Sequence, residues 1–468
     1  MGSEHPDFHA LATLCSKIGS GATPRGGSNV YLQRGEIAFI RSQNVLNNSF
    51  SSAGLVYIED EAADKLNNVV VEEEDVLLNI TGDSVARCCQ VDNKILPARV
   101  NQHVAIIRPL KSELHPRYLR YYLVSPYMQN LMLGLAASGA TRNALTKGMI
   151  ESFQIPVPSL PRQKSIAHIL GTLDDKIELN RKMNETLEGM AQALFKSWFV
   201  DFDPVIDNAL AVGSPIPEPF QKRSAARKAL GKKRKPLPKE IQEQFPDRFM
   251  FNEEMGWVPE GWSVAELPKV IDFLEGPGIR NWQYTDDDNG IKFINIRCIQ
   301  NGDLNLTTAN KITREEALGK YSHFQLATDD IVISTSGTLG RYAFVREAHL
   351  PLSLNTSVIR FRPIEGKSTL HYIAGYVDTQ LQWELETRAS GSVQRNFGPV
   401  HLKQIRMLLP PINVLSDHNS IVQSIFNKRK QNLTEIDNLR QLRDTLLPKL
   451  LSGELRIPNA EKMIQEAL

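Results

Sequence analysis

The pattern of hydrophobic and polar positions predicts short strands followed by helices, and it does so twice along the chain. In the first half, four aliphatic runs separated by Gly-, Asn- and Asp-rich turns predict strands: 37–41, 55–58, 76–80 and 103–108. A helical pattern follows at 116–133, then a polar loop, a strand closing at 155–158 and a long helix at 162–200. The second half repeats this order and ends in a helical pattern at 415–452.

The two halves also match segment by segment. Four pairs recur in the same order: GEIAFI at 35–40 with GIKFI at 290–294, DVLLNITG at 75–82 with DIVISTSG at 330–337, the Asn- and Arg-Pro-containing strands at 101–109 and 355–363, and SGATRN at 138–143 with GSVQRN at 391–396. Phe39 and Phe293, for example, are 254 residues apart. A period of this length exceeds that of solenoid repeats, so it indicates the tandem duplication of a domain with its connector.

Both long helical patterns carry a heptad seam. Its members in the first helix are Ile166, Leu170, Leu173, Ile177, Asn180, Asn184, Leu187, Ala191, Leu194 and Trp198. Those in the second helix are Ile421, Ile425, Asn432, Ile436, Leu439, Leu446 and Leu450. A polar residue in an apolar seam costs stability but fixes register. Because Asn180 and Asn432 are equivalent in the repeat, we expect the helices to pair and to share a polar layer there. The alternative is that each helix packs on its own domain and the Asn side chains face solvent.

These features predict an α/β (α+β) fold made of two duplicated domains, each followed by a long helix. The predicted segments are a first domain at 1–160, its helix at 161–200, a charged, Pro-rich connector at 201–260, a second domain at 261–412, its helix at 413–456 and a C-terminal tail at 457–468. Within the connector, residues 222–239 contain nine Lys and Arg and no acidic residue. This run favours phosphate contact or partner docking, or it is a solvated, flexible linker balanced by the acids around it.

Composition narrows the class of protein. The chain is 41% hydrophobic and 23% charged, which excludes wholesale disorder. No run of 18 apolar residues predicts a membrane span. The four cysteines lack CxxC spacing, and the N-terminus lacks the apolar region of a signal peptide, so we expect reduced thiols and a cytoplasmic protein. With 54 Lys and Arg against 53 Asp and Glu, net charge is +1, so any DNA contact needs local patches or a partner.

The sequence contains no motif that predicts catalysis. Gly366-Lys367-Ser368 resembles the end of a P-loop, but Phe361 stands where that motif needs Gly. The histidines lack metal-ligand spacing, and acidic clusters fall in predicted turns. We therefore expect a reader or a scaffold with no bound metal or cofactor of its own. An enzyme with an unrecognised site would need clustered carboxylates or a cofactor loop.

The predicted turns are rich in side chains that hydrogen-bond base edges in the major groove. Candidates in the first half are Thr23, Arg25, Arg41, Gln43, Asn44, Thr81, Arg87, Asn101, Gln102, Thr141, Arg142 and Asn143. Candidates in the second half are Arg280, Asn295, Arg297, Thr335, Ser336, Thr338, Arg341, Asn355, Gln394, Arg395 and Asn396. For each one the competing interpretation is a turn-forming or solvent-facing role. The Arg-Asn pairs at 142–143 and 395–396 persist between the copies, which favours DNA contact but also fits a fold role or a phosphate contact.

The chain resembles the specificity subunit of type I restriction–modification systems. The resemblance lies in SGATRNAL at 138–145, IPVP at 155–158, LDDKIELN at 173–180, ALFKSWFVDFDP at 193–204, GWVPEGW at 256–262 and LLPKLLSGE at 446–454. It implies two target-recognition domains in inverted orientation, separated by an antiparallel coiled coil of two conserved helices. Each domain would read one half of an asymmetric, bipartite site in double-stranded DNA, and the helix pair would set the gap.

The resemblance also implies partners. The helices would dock two methyltransferase subunits, which bind S-adenosylmethionine and methylate adenine, and motor–nuclease subunits would join them for restriction. The specificity subunit itself would be non-catalytic. The remaining alternative is a coiled-coil scaffold between proteins without sequence-specific DNA binding. That alternative accounts for the helices but leaves the duplicated domains unexplained.

Overall fold

The computed structural model describes residues 7–137, 143–233, 236–300, 302–388 and 397–468. The chain divides into two compact units. Unit 1 comprises Met1–Leu179 and Glu435–Leu468, and unit 2 comprises Asn180–Thr434. Both division points fall inside long helices, which span Leu160–Phe199 and Ile412–Ser452. Each unit therefore contains one duplicated domain and a piece of each long helix.

Unit 1 is built on two four-stranded sheets. The first sheet is antiparallel, in the order Cys15–Ser20, Val104–Pro109, Val76–Asn79 and Cys88–Gln90. The second has the order Val56–Ile58, Ile37–Ile40, Ala98–Val100 and Val70–Val71, with its middle pair parallel. Shorter pairs join Asp7–Ala10 with Gln154–Val157 and Val45–Leu46 with Ser49–Phe50. The other helices are Asp60–Asp64, Pro116–Leu123, Pro126–Ala137, Lys147–Glu151 and Ile457–Ala467.

Unit 2 repeats this plan. Its first sheet is antiparallel, in the order Ile271–Glu275, Val358–Pro363, Ile331–Ser334 and Tyr342–Phe344. Its second has the order Tyr284–Thr285, Lys311–Ile312, Ile291–Phe293 and Leu352–Ser353, with the last pair parallel. Shorter pairs join Ser263–Glu266 with Arg406–Leu409, Ile299–Gln300 with Asp303–Leu304, and Phe249–Asn252 with Gly256–Pro259. Its helices include Asp203–Val212, Glu218–Leu230, Lys239–Gln242, Arg314–Leu318, Leu370–Tyr376, Gln382–Arg388 and Pro399–Leu402. The equivalent strand orders confirm the predicted duplication.

A buried ion pair explains why one part of the repeat persists. In unit 1 the guanidinium of Arg108 donates to both oxygens of Asp75, at 2.7 and 2.8 Å. In unit 2 Arg362 binds both oxygens of Asp330 in the same way. Both aspartates are buried, and each also accepts a backbone N–H at 2.7 Å, from Glu72 and Ala327 respectively. Since a buried carboxylate needs a partner, the same ion pair recurs at the same place in the two copies.

The long helices pair antiparallel inside each unit. In unit 1, Asp174 pairs with Arg443 and Lys176 pairs with Glu435. Residue numbers rise along one helix while those of the partners fall along the other, as in an antiparallel pair. The shared hydrophobic core there contains Ile166, Leu170, Leu173, Ile177, Ile436, Leu439, Leu446 and Leu450. In unit 2 the pieces pack through Phe195, Trp198, Phe199, Val414, Leu415, Val422 and Phe426. Ile421, which the heptad pattern placed in the seam, is exposed.

The helix pair contains buried polar residues, and the hydrogen bond across it joins Asn432 to Asn184. The side-chain nitrogen of Asn432 donates to Asn184, at 2.9 Å between Nδ2 and Oδ1. Asn180 is also buried, and its Nδ2 has no hydrogen-bond partner among the described residues. Sequence equivalence placed Asn180 and Asn432 in the same layer but did not say which residue of one helix faces which of the other.

The connector at 201–260 is folded, so the flexible-linker interpretation is wrong for the described part. The helices Asp203–Val212 and Glu218–Leu230 are joined by a ladder in which Arg223 binds Asp203 and Arg227 binds Asp207. Phe202, Val205 and Phe245 belong to the core of unit 2. Two of the nine basic residues are thus paired with buried acids, and Nζ of Lys239 lies 3.6 Å from Oε1 of Glu243 at the surface. The exposed lysines of the run are Lys222, Lys228, Lys233 and Lys239, and Arg234 and Lys235 lie outside the described residues.

Candidate nucleic-acid interface

The ends of several strands bring the predicted DNA-contacting turns of unit 1 to one edge. The backbone N–H of Asn101 donates to the carbonyl of Ile40 at 3.0 Å, and that of Leu145 donates to Ile80 at 2.8 Å. The side chain of Asn79 donates to the carbonyl of Ser42 at 2.9 Å. The turns at 41–44, 80–87, 101–103 and 143–145 therefore emerge together, although they are far apart in sequence.

In each unit a glycine directly after the first strand of the antiparallel sheet holds the following loop against this edge. Gly21 donates its N–H to the carbonyl of Asn101 at 3.2 Å. A Cβ on Gly21 would lie 1.7 Å from the carbonyl oxygen of Val100, so only glycine fits. The equivalent Gly276 would bring its Cβ within 2.2 Å of the backbone of Asn355. The same close approach of backbones thus builds the edge twice.

Three of the predicted base-reading amides are structural. Asn44 is 0% exposed, accepts the N–H of Arg41 at 3.0 Å and donates to the carbonyl of Ser51 at 2.9 Å. Asn101 accepts the backbone N–H of His103 at 3.0 Å, and Asn355 accepts that of Ile279 at 3.1 Å. Both are buried. Buried amides committed to the backbone hold turns in place and are not available to a base, so these predictions are corrected.

Other candidates are only partly available. The guanidinium of Arg41 donates to the carbonyl of Gly54 and lies 5.4 Å from the centre of the Tyr31 ring. Asn295 caps a short helix by accepting the N–H of Arg297 at 2.9 Å. Thr335 and Ser336 are buried. Arg41 and Asn295 thus make contacts within their own units, and Thr335 and Ser336 have little exposed surface.

Ten candidates are exposed at or beside the two edges. They are Thr23, Arg25, Gln43, Arg87, Gln102 and Asn143 in unit 1, and Arg280, Arg297, Thr338 and Arg341 in unit 2. Arg87 and Arg341 are structurally equivalent, because the carbonyl of each accepts the N–H of the last residue of a central strand at 2.8 Å. Thr141, Arg142, Gln394, Arg395 and Asn396 lie outside the described residues.

One residue of the edge was missed from the sequence. His103 is half-buried between two candidates: its Nδ1 lies 2.6 Å from Oγ1 of Thr81, and its Nε2 lies 3.1 Å from Nε2 of Gln102. Thr23 completes the chain by donating to Oε1 of Gln102. The sequence did give one indication of His103, because this residue directly follows the candidates Asn101 and Gln102 in the same turn.

Among the residues that the structure describes, no group of three or more His, Cys, Asp and Glu side chains is arranged to hold a metal. The four cysteines are free thiols, and burial raises the pKa of Cys88 to about 12, so this thiol stays protonated at neutral pH. Over the same residues, no helix combines the length and apolar character needed to cross a bilayer.

Comparison with known proteins decides the family. The profile described as "Type I restriction modification DNA specificity domain" matches residues 11–189 and 259–438. The chain belongs to this family. The two matched stretches cover the two copies of the duplication and most of the paired helices, and they confirm the resemblance seen in the sequence.

Individual members of the type I specificity family align along most of this chain. It is 27% identical over 441 residues to the type I restriction enzyme HindI specificity subunit of Haemophilus influenzae, covering 90% of this chain and 94% of that protein. It is 26% identical over 370 residues to the MjaIX specificity subunit of Methanocaldococcus jannaschii, covering 77% and 74%. The crystal structure of an S subunit from M. genitalium aligns over 96% of this chain and 97% of that one, with a TM-score of 0.50 and 13% identity. That likeness shows a shared fold.

Proposed function

We propose that this chain is the DNA-specificity subunit of a type I restriction–modification complex in which each unit reads one half of an asymmetric, bipartite site in double-stranded DNA. The observation that carries the proposal is the repeated edge: the same strand ends and the same close glycine approach support different exposed side chains in the two units. Two domains of the same fold that present different side chains to DNA can recognise two different half-sites.

The exposed groups differ in kind between the two edges. Unit 1 offers the amides of Gln43, Gln102 and Asn143 together with two arginines. Unit 2 offers three arginines and a threonine, with no exposed amide among the described candidates. Amides pair with adenine and guanidinium groups with guanine, so the two edges favour different bases. Arginine also binds phosphate, which positions a protein without reading sequence.

The helix pair gives the proposal its architecture. Each unit holds a piece of both long helices, so the pair would set the gap between the half-sites and dock two methyltransferase subunits. Leu179 and Met190 are apolar side chains exposed on the first long helix and are suited to such docking. In this proposal the methyltransferase subunits bind S-adenosylmethionine and methylate adenine, and motor–nuclease subunits join them for restriction.

Mapping methylated adenine across the genome tests the proposal. The full chain would be expressed with its methyltransferase partner, and a culture with the partner alone would serve as the control. We expect a split, asymmetric motif that disappears when the chain is omitted. A continuous motif, or methylation that is unchanged without the chain, would contradict the proposal and favour a scaffold that does not choose the DNA sequence.

A further inference from the structure

A continuous chain of side-chain hydrogen bonds crosses the edge of unit 1. It runs from Thr23 to Gln102, then to His103 and finally to Thr81. The last two links measure 3.1 Å and 2.6 Å between heavy atoms. Gln102 is exposed, whereas His103 and Thr81 are half-buried behind it. The network therefore has an inner support and an outer, solvent-facing amide.

The chemistry of the groups sets the direction of these bonds. The hydroxyl of Thr23 donates to the amide oxygen of Gln102, so the amide nitrogen of Gln102 faces His103 and donates to its Nε2. An imidazole that accepts at Nε2 carries its proton on Nδ1, which then donates to Oγ1 of Thr81. One N–H and one oxygen lone pair of Gln102 remain unused. That donor–acceptor pair matches the N6 and N7 edge of adenine.

We propose that His103 is a positioning residue for DNA recognition: it holds the Gln102 amide in the orientation that reads an adenine in the first half-site. This inference rests on the proposed function. His103 itself need not touch the base, since its two ring nitrogens are both occupied by neighbouring side chains. Its part is to fix an exposed amide that would otherwise rotate freely, which lowers the entropy lost on binding.

The second unit shows that the fold does not need this histidine. The residue equivalent to His103 is Ser357, and the backbone role is the same in both: the carbonyl accepts a strand-end N–H, from Ile80 at 3.0 Å and from Thr335 at 2.9 Å. The side chain of Asn101 accepts the N–H of His103 inside its own turn, whereas that of Asn355 accepts the N–H of Ile279 from another loop. The imidazole is therefore an addition to one edge, as expected for a specificity determinant.

Three substitutions at one position separate the proposed role from a general one. His103→Ala removes both ring contacts. His103→Asn keeps a donor where Nδ1 stands, towards Thr81, but does not reach Gln102. His103→Gln places an acceptor near the position of Nε2 and is the conservative rescue. Each full-length variant would be expressed with the methyltransferase partner, and the methylated motif would be compared with those of the unaltered chain and of Gln102→Ala.

We expect His103→Ala and His103→Asn to reduce discrimination at one adenine of the first half-site by roughly tenfold, at the position that Gln102→Ala also relaxes. The second half-site and the gap should not change, and His103→Gln should restore most of the preference. The double variant should resemble Gln102→Ala alone, because both residues act on one contact. Thermal unfolding of each variant would verify folding, and Ser357→Ala is the matched control, which should leave the first half-site intact.

Two results would overturn the inference. One is an unchanged first half-site in His103→Ala, and the other is an equal loss at both half-sites, which would indicate a general structural role. If the unaltered chain itself gave no chain-dependent split motif, the proposed function would fail, and this inference with it. A split motif that survives every change at His103 would refute the positioning role alone.

Discussion

The carboxylate of Asp174 joins the helix pair of unit 1 to its recognition domain, and removing its charge gives a sharp test of that junction. It accepts hydrogen bonds from Arg120 at 2.8 Å, Tyr121 at 2.6 Å, Arg443 at 2.8 Å and Asn48 at 3.1 Å. Burial by itself would raise the pKa of Asp174. The two arginines and the Tyr121 hydroxyl lower it by more than burial raises it, so the pKa lies below its ordinary value. The ionised form is thus the stable one.

The expected cost of Asp174→Asn follows from the burial of its partners. The side chain of Arg120 is 6% exposed and that of Asp174 is 14% exposed, so the change leaves the guanidinium of Arg120 without a counter-charge in a mostly dry environment. Arg443 keeps its ion pair with Asp444. Breaking a buried pair in this way costs about 3–5 kcal/mol. Because some water reaches the cluster and Asn keeps one accepting oxygen, we expect about 3 kcal/mol.

The neighbouring residue provides the matched control. Asp175 pairs with Arg117 at the surface, and its side chain is 68% exposed. Asp175→Asn should therefore cost at most about 1 kcal/mol. Urea unfolding of the full chain, followed by far-UV circular dichroism, would measure both variants, and amide hydrogen exchange at 118–123 would assign the transition to unit 1. Equal destabilisation by the two changes would contradict the larger cost expected for the buried carboxylate.

Three further predictions concern the edge and the connector. Asn355→Ala should destabilise unit 2 by about 1–2 kcal/mol in urea unfolding, because the N–H of Ile279 loses its acceptor, whereas Arg341→Ala should leave stability nearly unchanged. Gly276→Ala should lower the melting temperature, since its Cβ would meet backbone at 2.2 Å; an unchanged temperature would contradict the packing. Asp203 is buried, which would raise its pKa, but bonds from Arg223 and Ser197 lower it below the ordinary value. Its stabilisation should therefore be complete above the unfolded carboxyl pKa and be lost as pH falls through the folded pKa. Unfolding midpoints of the unaltered chain and Asp203→Asn should converge on acidification, and a constant difference would contradict this.

Local periodicity predicted both long helices and part of the sheets. The alternation of aliphatic runs with polar turns located Ile37–Ile40, Val76–Asn79 and Val104–Pro109, but it missed Cys15–Ser20 and Ala98–Val100. The same patterns could not say which residue of one helix faces which of the other, because crossing geometry is a tertiary property. Asn184 was in the seam, yet only the packed structure makes it the partner of Asn432.

The candidate site was predictable in kind but not in detail. Sequence reasoning found the turns, since residues with base-pairing side chains cluster there. It could not separate Asn44 and Asn101, which are buried, from exposed Gln43 and Gln102 beside them, because adjacent residues in a turn point in different directions. His103 was missed because its value lies in contacts with Thr81, which is distant in sequence.

The proposal that the two equivalent edges read different halves of one DNA site can be tested at one residue of each edge. Its most direct test is the methylated motif of Arg87→Ala and of Arg341→Ala, each expressed with the methyltransferase partner beside the unaltered chain. These residues occupy equivalent, exposed positions, so the proposal predicts that each change relaxes one position by about 1–3 kcal/mol, the first in one half-site and the second in the other. Relaxation of the same half-site by both changes, or uniform weakening with no change of motif, would contradict it.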